Sequence, residues 1–387
     1  MEYRAIVITG IADADEAQVC KSLCDSCPQF YAAVLTTTRP KDVNKIEGQY
    51  EYLTREEFEE LVNDDQITVK TEHNGNWYGI RKSSPKTTKG KEKIPVVLLQ
   101  TSALSQELEQ STNLFSIFLD KPDDLLDVSH VRAGGEVDKG ILEQRKKDRK
   151  VAPFCTYSIV NLDTSRTVEL ILTLWEHRNN GGVIPRRLID LAIDCGVLLD
   201  DVDDKKKIQG ASYDLSLGDE YYYGGQIKTL TDKDPFICIE PYDYAIVTSK
   251  ENANFPRDIA ARFGLAVSLF CQGVILSNGP QVDPGFKGKL FCLLFNTSNA
   301  PVFLKRGQHY ATLEFHKLIE PTDPYKGRYQ DKVGIVDYLP SNTLKGGVNE
   351  LKKELEQVKS QGQGLQTTIL GMLSVLLAII ALLLALR

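Results

Sequence analysis

The sequence predicts a multidomain chain with an α/β half, an all-β half, a short coiled-coil stalk and one transmembrane helix. Residues 1–178 alternate strand and helix patterns, which is typical of a mostly parallel sheet. From residue 183, short apolar runs separated by Gly, Pro and Asn turns predict the strands of a barrel or sandwich. Residues 365–386 carry no charge, and at ~1.5 Å per residue such a run crosses a bilayer core of roughly 30 Å.

The elements of the first half follow from local patterns. Strands are predicted at "RAIVITG", "FYAAVLTTTR", "IPVVLLQT" and "YSIVNLD". Helices are predicted at "ADEAQVCKSLCDSC", "TREEFEELVNDD" and "VDKGILEQRKKDRK", the second of which starts with a capping box. The polar run "RNNGG", residues 178–182, predicts a linker. We therefore expect a first domain over residues 1–178.

A helix at "PRRLIDLAIDCG" opens the second half, a domain predicted over residues 183–335. Beyond it, Val348, Leu351, Leu355 and Val358 are spaced three, four and three residues apart. This heptad seam predicts an amphipathic stalk over residues 346–362. A solvated amphipathic linker is the alternative, because two heptads alone are marginal.

Composition limits the classes of function. A net charge of −7 argues against a nucleic-acid binder that works by neutralising phosphates. The eight cysteines lie mostly in apolar stretches, which indicates buried thiols in a reducing compartment. Cys20, Cys24 and Cys27 have a spacing that can hold an iron–sulfur cluster. A plain helix that carries thiols is the favoured interpretation, since no repeated βα pattern surrounds them.

The N-terminal stretch "MEYRAIVITG" reads as a buried strand and not as a signal peptide. Together with the apolar run at residues 365–386, it predicts a single-pass membrane protein whose body stays in the cytoplasm.

Several motifs of the first half, in order, resemble guanylate kinase over residues 4–176. They are Thr37-Thr38-Arg39, "EGQYEY", "TREEF", "GNWYG" and "YSIVNLD". The resemblance implies a P-loop-kinase-like α/β fold, with the phosphate loop at residues 10–17. There, Glu16 stands in place of the family's lysine and Ala17 in place of its hydroxyl residue, while Asp13 and Asp15 replace two glycines.

Carboxylates at a helix N-terminus repel a triphosphate, so phosphoryl transfer from ATP is not expected. In the acceptor site Arg39 and Tyr78 survive, but a second family arginine falls on Asp42 and the guanine-reading glutamate falls near Val69. Arg39 with Tyr50 and Tyr78 could hold a phosphate or an acidic group. They could equally be ordinary surface residues of a retained fold.

The second half resembles the dCTP deaminase and dUTPase superfamily over residues 183–335, which implies an all-β dUTPase-like barrel. The opening motif of the superfamily matches Gln209, Ser212, Asp214, Leu215, Leu217 and Gly218. Its D-P-G turn matches residues 282–288. The tail typical of the deaminase branch matches Tyr325, Gly327, Arg328, Tyr329 and Gln330.

Departures from the family pattern bear on catalysis. The glutamate that shuttles protons in the deaminases falls on Leu293, which cannot transfer a proton. In the dUTPase branch the turn aspartate activates water, so Asp283 is the catalytic candidate if the domain is active, with Mg²⁺ as its cofactor. Without that activity no cofactor is expected, and no metal site is predicted.

The phosphate-gripping segment aligns with residues 265–271, where only Ser268 remains of the family's arginines and hydroxyls. Because bidentate arginine contacts to phosphate are the strong ones, triphosphate affinity should fall. Arg262, Arg328 and Lys332 could compensate in part. The expected ligand-binding residues of the second domain are therefore Asp214, Ser268, Asp283, Tyr325, Arg328 and Lys332. Asp214 and Asp283 could also be purely structural.

These departures predict a membrane-anchored pseudoenzyme whose domains bind or sense a nucleotide or bind a protein partner, most concretely a nucleotide-responsive membrane effector or scaffold. The resemblance implies a homotrimer, the usual state of the superfamily. One alternative is an active dCTP deaminase or dUTP diphosphatase held at a membrane. The other is a protein-interaction scaffold that uses a dead guanylate-kinase domain. Nucleic acid is not an expected partner.

Overall fold

A computed structural model describes residues 3–385 apart from residues 4, 12, 34, 42–49, 74, 82–92, 100, 102–113, 127–138, 278–280 and 341–347. The first part of the chain, here called the N-terminal unit, runs from β1 to α4. Its elements are β1 (Ala5–Gly10), α1 (Glu16–Ser26), β2 (Phe30–Ala32), β3 (Leu35–Thr37), β4 (Tyr50–Tyr52), α2 (Arg55–Asn63), β5 (Ile67–His73), β6 (Asn76–Arg81), β7 (Ile94–Leu98), β8 (Leu114–Asp120), α3 (Lys139–Asp148), β9 (Tyr157–Val160) and α4 (Thr164–Glu176).

The N-terminal unit contains a parallel sheet in the order β2-β7-β1-β8-β9, as the alternating pattern predicts. Its central strands are buried on both faces, which explains their continuous apolar runs. A smaller sheet has the order β4-β3-β6-β5. The single strand predicted at "FYAAVLTTTR" is wrong: it is divided into β2 and β3, which belong to different sheets.

The second part, here called the C-terminal unit, runs from β10 to residue 340. Its elements are β10 (Gly182–Val183), α5 (Arg186–Asp194), β11 (Leu198–Asp200), β12 (Ser212–Tyr223), β13 (Gln226–Thr229), β14 (Phe236–Ile239), β15 (Tyr244–Asn254), β16 (Ile259–Leu265), α6 (Val267–Phe270), β17 (Val274–Ser277), β18 (Lys287–Asn296), β19 (Val302–Lys305) and β20 (His309–Lys317). Among the described residues, the eleven strands form two antiparallel arrangements. Nine belong to one large sheet built around β12, β15, β18 and β20, which includes β16 on β20, and the other two are the pair β14–β19. The predicted β domain is therefore confirmed.

The last helix, α7 (Val348–Ala385), corrects the membrane prediction. Within the described part of the chain, no helix is long and apolar enough to cross a membrane. The polar residues Gln361, Gln363 and Gln366 lie in the described stretch of α7 and reduce its mean hydropathy. Side chains from residue 379 onward, on which the predicted span at residues 365–386 also depended, lie outside the described residues. The predicted single-pass membrane localisation is accordingly contradicted.

The predicted stalk lies within α7 from residue 348 onward, and residues 346–347 are outside the described chain. Leu355 and Val358 are exposed there, as the seam of a coiled coil is in a single chain. Association through this seam stays a prediction.

One buried carboxylate organises the middle of the large sheet. Glu251, in β15, is fully buried. Its Oε1 accepts hydrogen bonds from the hydroxyl groups of Tyr213 (3.1 Å) and Ser216 (2.9 Å), and its Oε2 accepts one from the Ser216 amide (3.0 Å). The Lys207 ammonium lies 3.7 Å away. Because a buried charge is tolerated only when it is paired and hydrogen-bonded, this network fixes β12 against β15.

Substituting Glu251→Gln should destabilise the protein. The amide of glutamine offers one acceptor oxygen to a site built from three donors, so one donor must lose its partner at a cost of about 1–3 kcal/mol. Chemical denaturation followed by circular dichroism measures this change. Glu240→Gln is the control, because Glu240 is exposed and its replacement should leave the free energy of unfolding nearly unchanged. Equal stability of the two variants would contradict the assignment.

Candidate functional site

The loop between β1 and α1 has the position of a phosphate loop, but a carboxylate of the chain lies in it. The Glu16 side chain folds back over Gly10, where an added Cβ atom would lie 3.1 Å from the Glu16 Cγ and Oε1 atoms. Burial raises the pKa of Glu16 to about 7, and the charges of Asp15 and Asp13 add to this rise. The free amide groups of a helix N-terminus attract anions. Here the carboxylate of Glu16, a residue of the helix itself, lies where such an anion would bind.

The cations near this loop are paired with carboxylates. Arg149 donates to Asp120 (2.9 Å) and to Asp123 (2.8 Å). Lys121 lies 3.3 Å from Asp15. Arg145 is fully buried and donates to the carbonyl oxygen of Lys121. A triphosphate at this loop would have to displace these pairs as well as the carboxylate of Glu16.

The second predicted site of the N-terminal unit lies on the small sheet. The Arg39 guanidinium lies 5.5 Å from the centre of the Tyr50 ring, and its Nη2 donates to the Tyr52 hydroxyl (3.5 Å). Tyr78 is buried and pairs across β6 and β3 with Thr37, two residues before Arg39. The structure therefore brings Arg39 and Tyr50 together, while Asp42 lies outside the described residues. Anion binding by Arg39 and Tyr78 stays a prediction.

In the C-terminal unit, the turn Asp283-Pro284-Gly285 is held on both sides by backbone hydrogen bonds. Val282 and Ala261 exchange two bonds (2.9 and 3.0 Å), and Gly285 donates to the carbonyl oxygen of Pro256 (3.0 Å). Gly285 has φ +74°, and an added Cβ atom would lie 2.5 Å from Cβ of Pro324. Only glycine fits this turn, because the left-handed conformation and the close approach both exclude a side chain.

The Asp283 carboxylate itself is partly exposed and lightly held. Its Oδ1 lies 3.4 Å from Nε2 of Gln281, a long hydrogen bond. Among the described residues it forms no ion pair. A carboxylate on a rigid turn with its oxygens accessible can accept a proton from water or bind a ligand hydroxyl.

The segment after β20, here called the tail (residues 322–332), packs against this turn. Tyr325 donates its amide to the Pro284 carbonyl (2.8 Å), and its ring makes an edge contact with Phe286 at 5.5 Å. Gln330 donates to the Gly285 carbonyl (2.9 Å) and accepts from the Lys287 amide (3.1 Å). The tail thus packs on the backbone of the turn that follows Asp283.

Arg328 and Lys332 are the predicted cations of the tail. The Arg328 guanidinium stacks on the Tyr329 ring at 4.6 Å, and the backbone of Lys332 pairs with Gly288 and Lys289 in β18. Tyr325 therefore contacts the turn, whereas the contacts of Arg328 and Lys332 are with Tyr329 and β18, and their role in binding stays a prediction. Gln330 belongs to the tail motif found in the sequence but was not predicted as a site residue. Its hydrogen bonds to the turn show that it also contacts this region.

Asp214 and Ser268 lie elsewhere in the single chain. Asp214, in β12, accepts from Gln209 (2.7 Å), and its Oδ1 lies 3.4 Å from the His309 Nε2 atom. Ser268 is exposed in α6, past the end of β16, whereas Val282 pairs with Ala261 near its start. Four residues of strand at ~3.3 Å each put roughly 13 Å between Ala261 and Leu265, so Ser268 does not reach the Asp283 turn.

Exposed apolar side chains lie beside Ser268 on α6 and on the neighbouring β17. In α6, Val267 and Phe270 are 74% and 69% exposed, and the neighbouring Ile275 of β17 is 55% exposed. Leu293, in β18, pairs with Ser277 and Ile246 and is partly exposed. A ligand that reached this face would meet no proton donor at residue 293.

A separate cavity of about 1140 Å³ lies between β12, β15 and the loop before β20. Two of its cations are paired with its own carboxylates: Lys250 with Asp203 (2.6 Å) and Arg306 with Asp219 (2.6 Å). Since these charges already neutralise one another, the cavity is a weaker candidate for an anion site than the Asp283 turn.

The donor set gives no support for a metal held by the protein. Over the described residues, no group of three or more His, Cys, Asp or Glu side chains could hold a metal ion. Asp283 offers one carboxylate, which does not fit a resident Mg²⁺ site. Cys20, Cys24 and Cys27 lie on or next to α1 as free thiols.

Comparisons with known proteins confirm both resemblances. The family described as dCTP deaminase-like matches residues 184–318, and the family described as guanylate kinase matches residues 2–177. A dCTP deaminase of Pyrococcus horikoshii is 34% identical over 133 residues, which cover 34% of this chain and 84% of the relative.

Two further relatives are more distant. A dUMP-forming dCTP deaminase of Persephonella marina is 27% identical over 168 residues, 39% of this chain and 93% of the relative. A guanylate kinase of Clostridium perfringens is 27% identical over 175 residues, 43% of this chain and 81% of the relative.

Substituting Gly285→Ala should both destabilise the protein and deform the Asp283 turn. A methyl group there combines the left-handed strain, about 1–2 kcal/mol, with overlap on Pro324. Gly307→Ala is a matched control, because Gly307 has the same φ of +74° and no neighbour within 4 Å of the added Cβ. Thermal unfolding should show a larger loss for Gly285→Ala. Equal losses would mean that the contact with Pro324 does not constrain the turn.

Glu16→Gln should change how stability depends on pH. The folded-state pKa of Glu16 is raised to about 7, so its contribution to stability is fully present below its unfolded pKa of about 4.3 and is lost as pH rises through 7. Glutamine has no proton to lose, so the free energy of unfolding of the variant should not fall in this way. Relative to the wild type, it should be roughly 1–3 kcal/mol higher at pH 8 than it is at pH 4.

Denaturant titrations at the two pH values measure this gain. Glu143→Gln is the control, because Glu143 is exposed and its replacement should leave the pH dependence of stability unchanged. Glu57→Gln would not serve, because the Glu57 side chain caps α2. A Glu16→Gln curve parallel to the wild-type curve would show that the carboxylate is not buried in the loop.

Proposed function

Because the chain belongs to the dCTP deaminase-like family through its C-terminal unit, we propose that it binds a pyrimidine deoxynucleoside triphosphate at the Asp283 turn and hydrolyses it to the monophosphate and pyrophosphate. The observation that carries this proposal is the Asp283 carboxylate, which lies accessible on a turn fixed by Pro256, Gly285 and Gln330. Two relatives named as dCTP deaminases, one of them dUMP-forming, support the substrate class.

Hydrolysis fits these side chains better than deamination does. A deaminase must carry protons to the leaving amine, and Leu293 at the equivalent position has none to give. In the proposed reaction, Asp283 takes a proton from water while the oxygen forms a bond to the α-phosphorus. The bond from that phosphorus to the bridging oxygen breaks, and pyrophosphate leaves with the electron pair.

Arg328 and Lys332, in the tail that packs on the turn, are the cations that we propose for the phosphates. Mg²⁺ would enter with the triphosphate as part of the substrate, and no step is assigned to a metal held by the protein. The aromatic ring of Tyr325, packed on Phe286, would border the nucleoside.

A catalytically silent nucleotide sensor is the second candidate, and a specific observation favours it. The segment α6, where the family's phosphate-gripping arginines are expected, presents the apolar side chains of Val267 and Phe270. Binding without turnover would follow if the remaining cations suffice for affinity but not for catalysis. A scaffold that binds acidic peptides through Arg39 and Tyr78 is a third candidate.

We also propose that the protein is a homotrimer, in which other copies would cover Val267, Phe270 and Ile275. Along the chain, we propose domains at residues 1–178 and 183–335, followed by a stalk over residues 346–362.

Asp283→Asn tests the main proposal. The protein is incubated with dUTP or dCTP and Mg²⁺, and monophosphate, pyrophosphate and ammonia are measured. We expect the wild type to release pyrophosphate without ammonia, and Asp283→Asn to lower kcat by about 10²–10⁴-fold, the usual contribution of a general base. Asp234→Asn, in an exposed turn, is the control and should retain the wild-type rate.

Other outcomes separate the candidates. Nucleotide binding by the wild type with no product would replace the hydrolase with the silent sensor. Ammonia release from dCTP would overturn the role given to Leu293. Failure to bind any deoxynucleotide, together with binding of an acidic peptide that Arg39→Gln abolishes, would favour the scaffold.

A further inference from the structure

A short segment between β15 and β16, residues 255–258, touches both units of the protein. We call it the bridging segment. On one side it is bonded to the Asp283 turn: Phe255 donates to the Phe286 carbonyl (2.9 Å), and Pro256 accepts from the Gly285 amide (3.0 Å). Two of the backbone bonds that fix the turn therefore come from this segment.

On its other side the bridging segment is bonded to the N-terminal unit, just before β9. The Arg257 amide donates to the Thr156 carbonyl (3.1 Å), and the Arg257 Nη1 donates to the Phe154 carbonyl (3.0 Å). The Arg257 Nε donates to the carbonyl of Thr322 (2.8 Å), and the Thr322 amide donates back to the Arg257 carbonyl (3.0 Å). One arginine thus ties the N-terminal unit to the start of the tail.

The last residue of the segment, Asp258, is 1% exposed. Its Oδ2 accepts hydrogen bonds from the hydroxyl of Tyr157, in β9, and from the ammonium of Lys317, in β20. Its carbonyl accepts from the Leu318 amide (2.7 Å). Burial and the carboxylate of Asp258 raise the pKa of Tyr157 well above its ordinary value, so the hydroxyl remains a donor.

This arrangement permits little variation in how the units pack. A buried carboxylate that loses one partner is strongly destabilised, so Tyr157 and Lys317 must both stay in place around Asp258. The apolar core is also continuous from the N-terminal unit into the C-terminal unit. Displacement of β9 would therefore carry the bridging segment with it.

We propose that the N-terminal unit positions the Asp283 turn, with Tyr157, Arg257 and Asp258 as the positioning residues. This proposal deepens the function proposed above and rests on it for the role of the turn, while the mechanical link itself does not. It gives the guanylate kinase-like unit a task that needs no phosphoryl transfer. If a ligand shifted β9, the same bonds would transmit the displacement to the Asp283 turn.

Tyr157→Phe in the full chain tests the link. The substitution removes one hydroxyl donor and keeps the ring. Hydrogen–deuterium exchange without nucleotide should rise about tenfold or more in the peptide that spans residues 282–287, where the Gly285 amide is bonded to Pro256. Exchange in the β1 and β8 strands should be unchanged. With dUTP, kcat should fall about tenfold while KM changes less, because misplacing a base harms the chemical step.

Arg187→Gln is the matched control. Arg187, in α5, pairs with Glu169, in α4, at 3.2 Å, so this substitution also breaks a polar contact between the units. Both side chains are exposed and neither touches the bridging segment, so exchange at residues 282–287 should match the wild type.

Arg257→Met provides a second variant, which keeps the apolar stem and removes the side-chain bonds to Phe154 and Thr322. Local acceleration at residues 282–287 in both variants supports the proposal. Unchanged exchange there, or a uniform rise over the whole chain in both variants, overturns it. Absence of turnover in the wild type would refute the hydrolase alone, because the exchange experiment contains no nucleotide.

Discussion

The carboxylate of Asp258 is the interaction on which the arrangement of this protein depends. It lies where β9 of one unit meets β16 and β20 of the other, and its Oδ2 atom accepts from both Tyr157 and Lys317. Buried ion pairs add little net stability but are severely destabilised when one partner is removed. The result is a junction with one low-energy geometry, from which the neighbouring backbone bonds of Pro256 and Arg257 extend to the turn.

The two regions that the sequence predicts as anion sites differ in how their charges are arranged. At the loop after β1, Glu16 occupies the space and nearby carboxylates neutralise Arg149 and Lys121. At the Asp283 turn, the backbone geometry is retained with glycine at its strained position, and cations remain in the tail. Carboxylates at the first region would repel a phosphate. At the second, the carboxylate of Asp283 is partly exposed, and phosphate binding by the cations of the tail stays a prediction.

Much of the fold could be predicted from local patterns, because the apolar runs of β1, β8 and β18 and the capping box of α2 are short-range signals. The division of "FYAAVLTTTR" between two sheets could not, since it depends on partners in β7 and β6. Within the site, the motif residues predict that Asp283 and the tail bind one ligand, which stays a prediction, while the bonds of the tail to Pro284 and Gly285 come from the structure. The contact of Arg257 with the Phe154 carbonyl joins residues 103 positions apart and has no sequence signal. The membrane prediction was wrong for the described part of the chain, where no helix is long and apolar enough to cross a membrane.

The tail has a consequence for how the protein is made. Gln330, which clamps the turn, follows Gly285 by 45 residues, and β19 and β20 are completed in between. During translation the turn therefore emerges from the ribosome before its own clamp exists. A nascent chain can form the turn's strand pairing early, yet Pro284 and Gly285 gain their bonds to the tail only after β19 and β20 have been released.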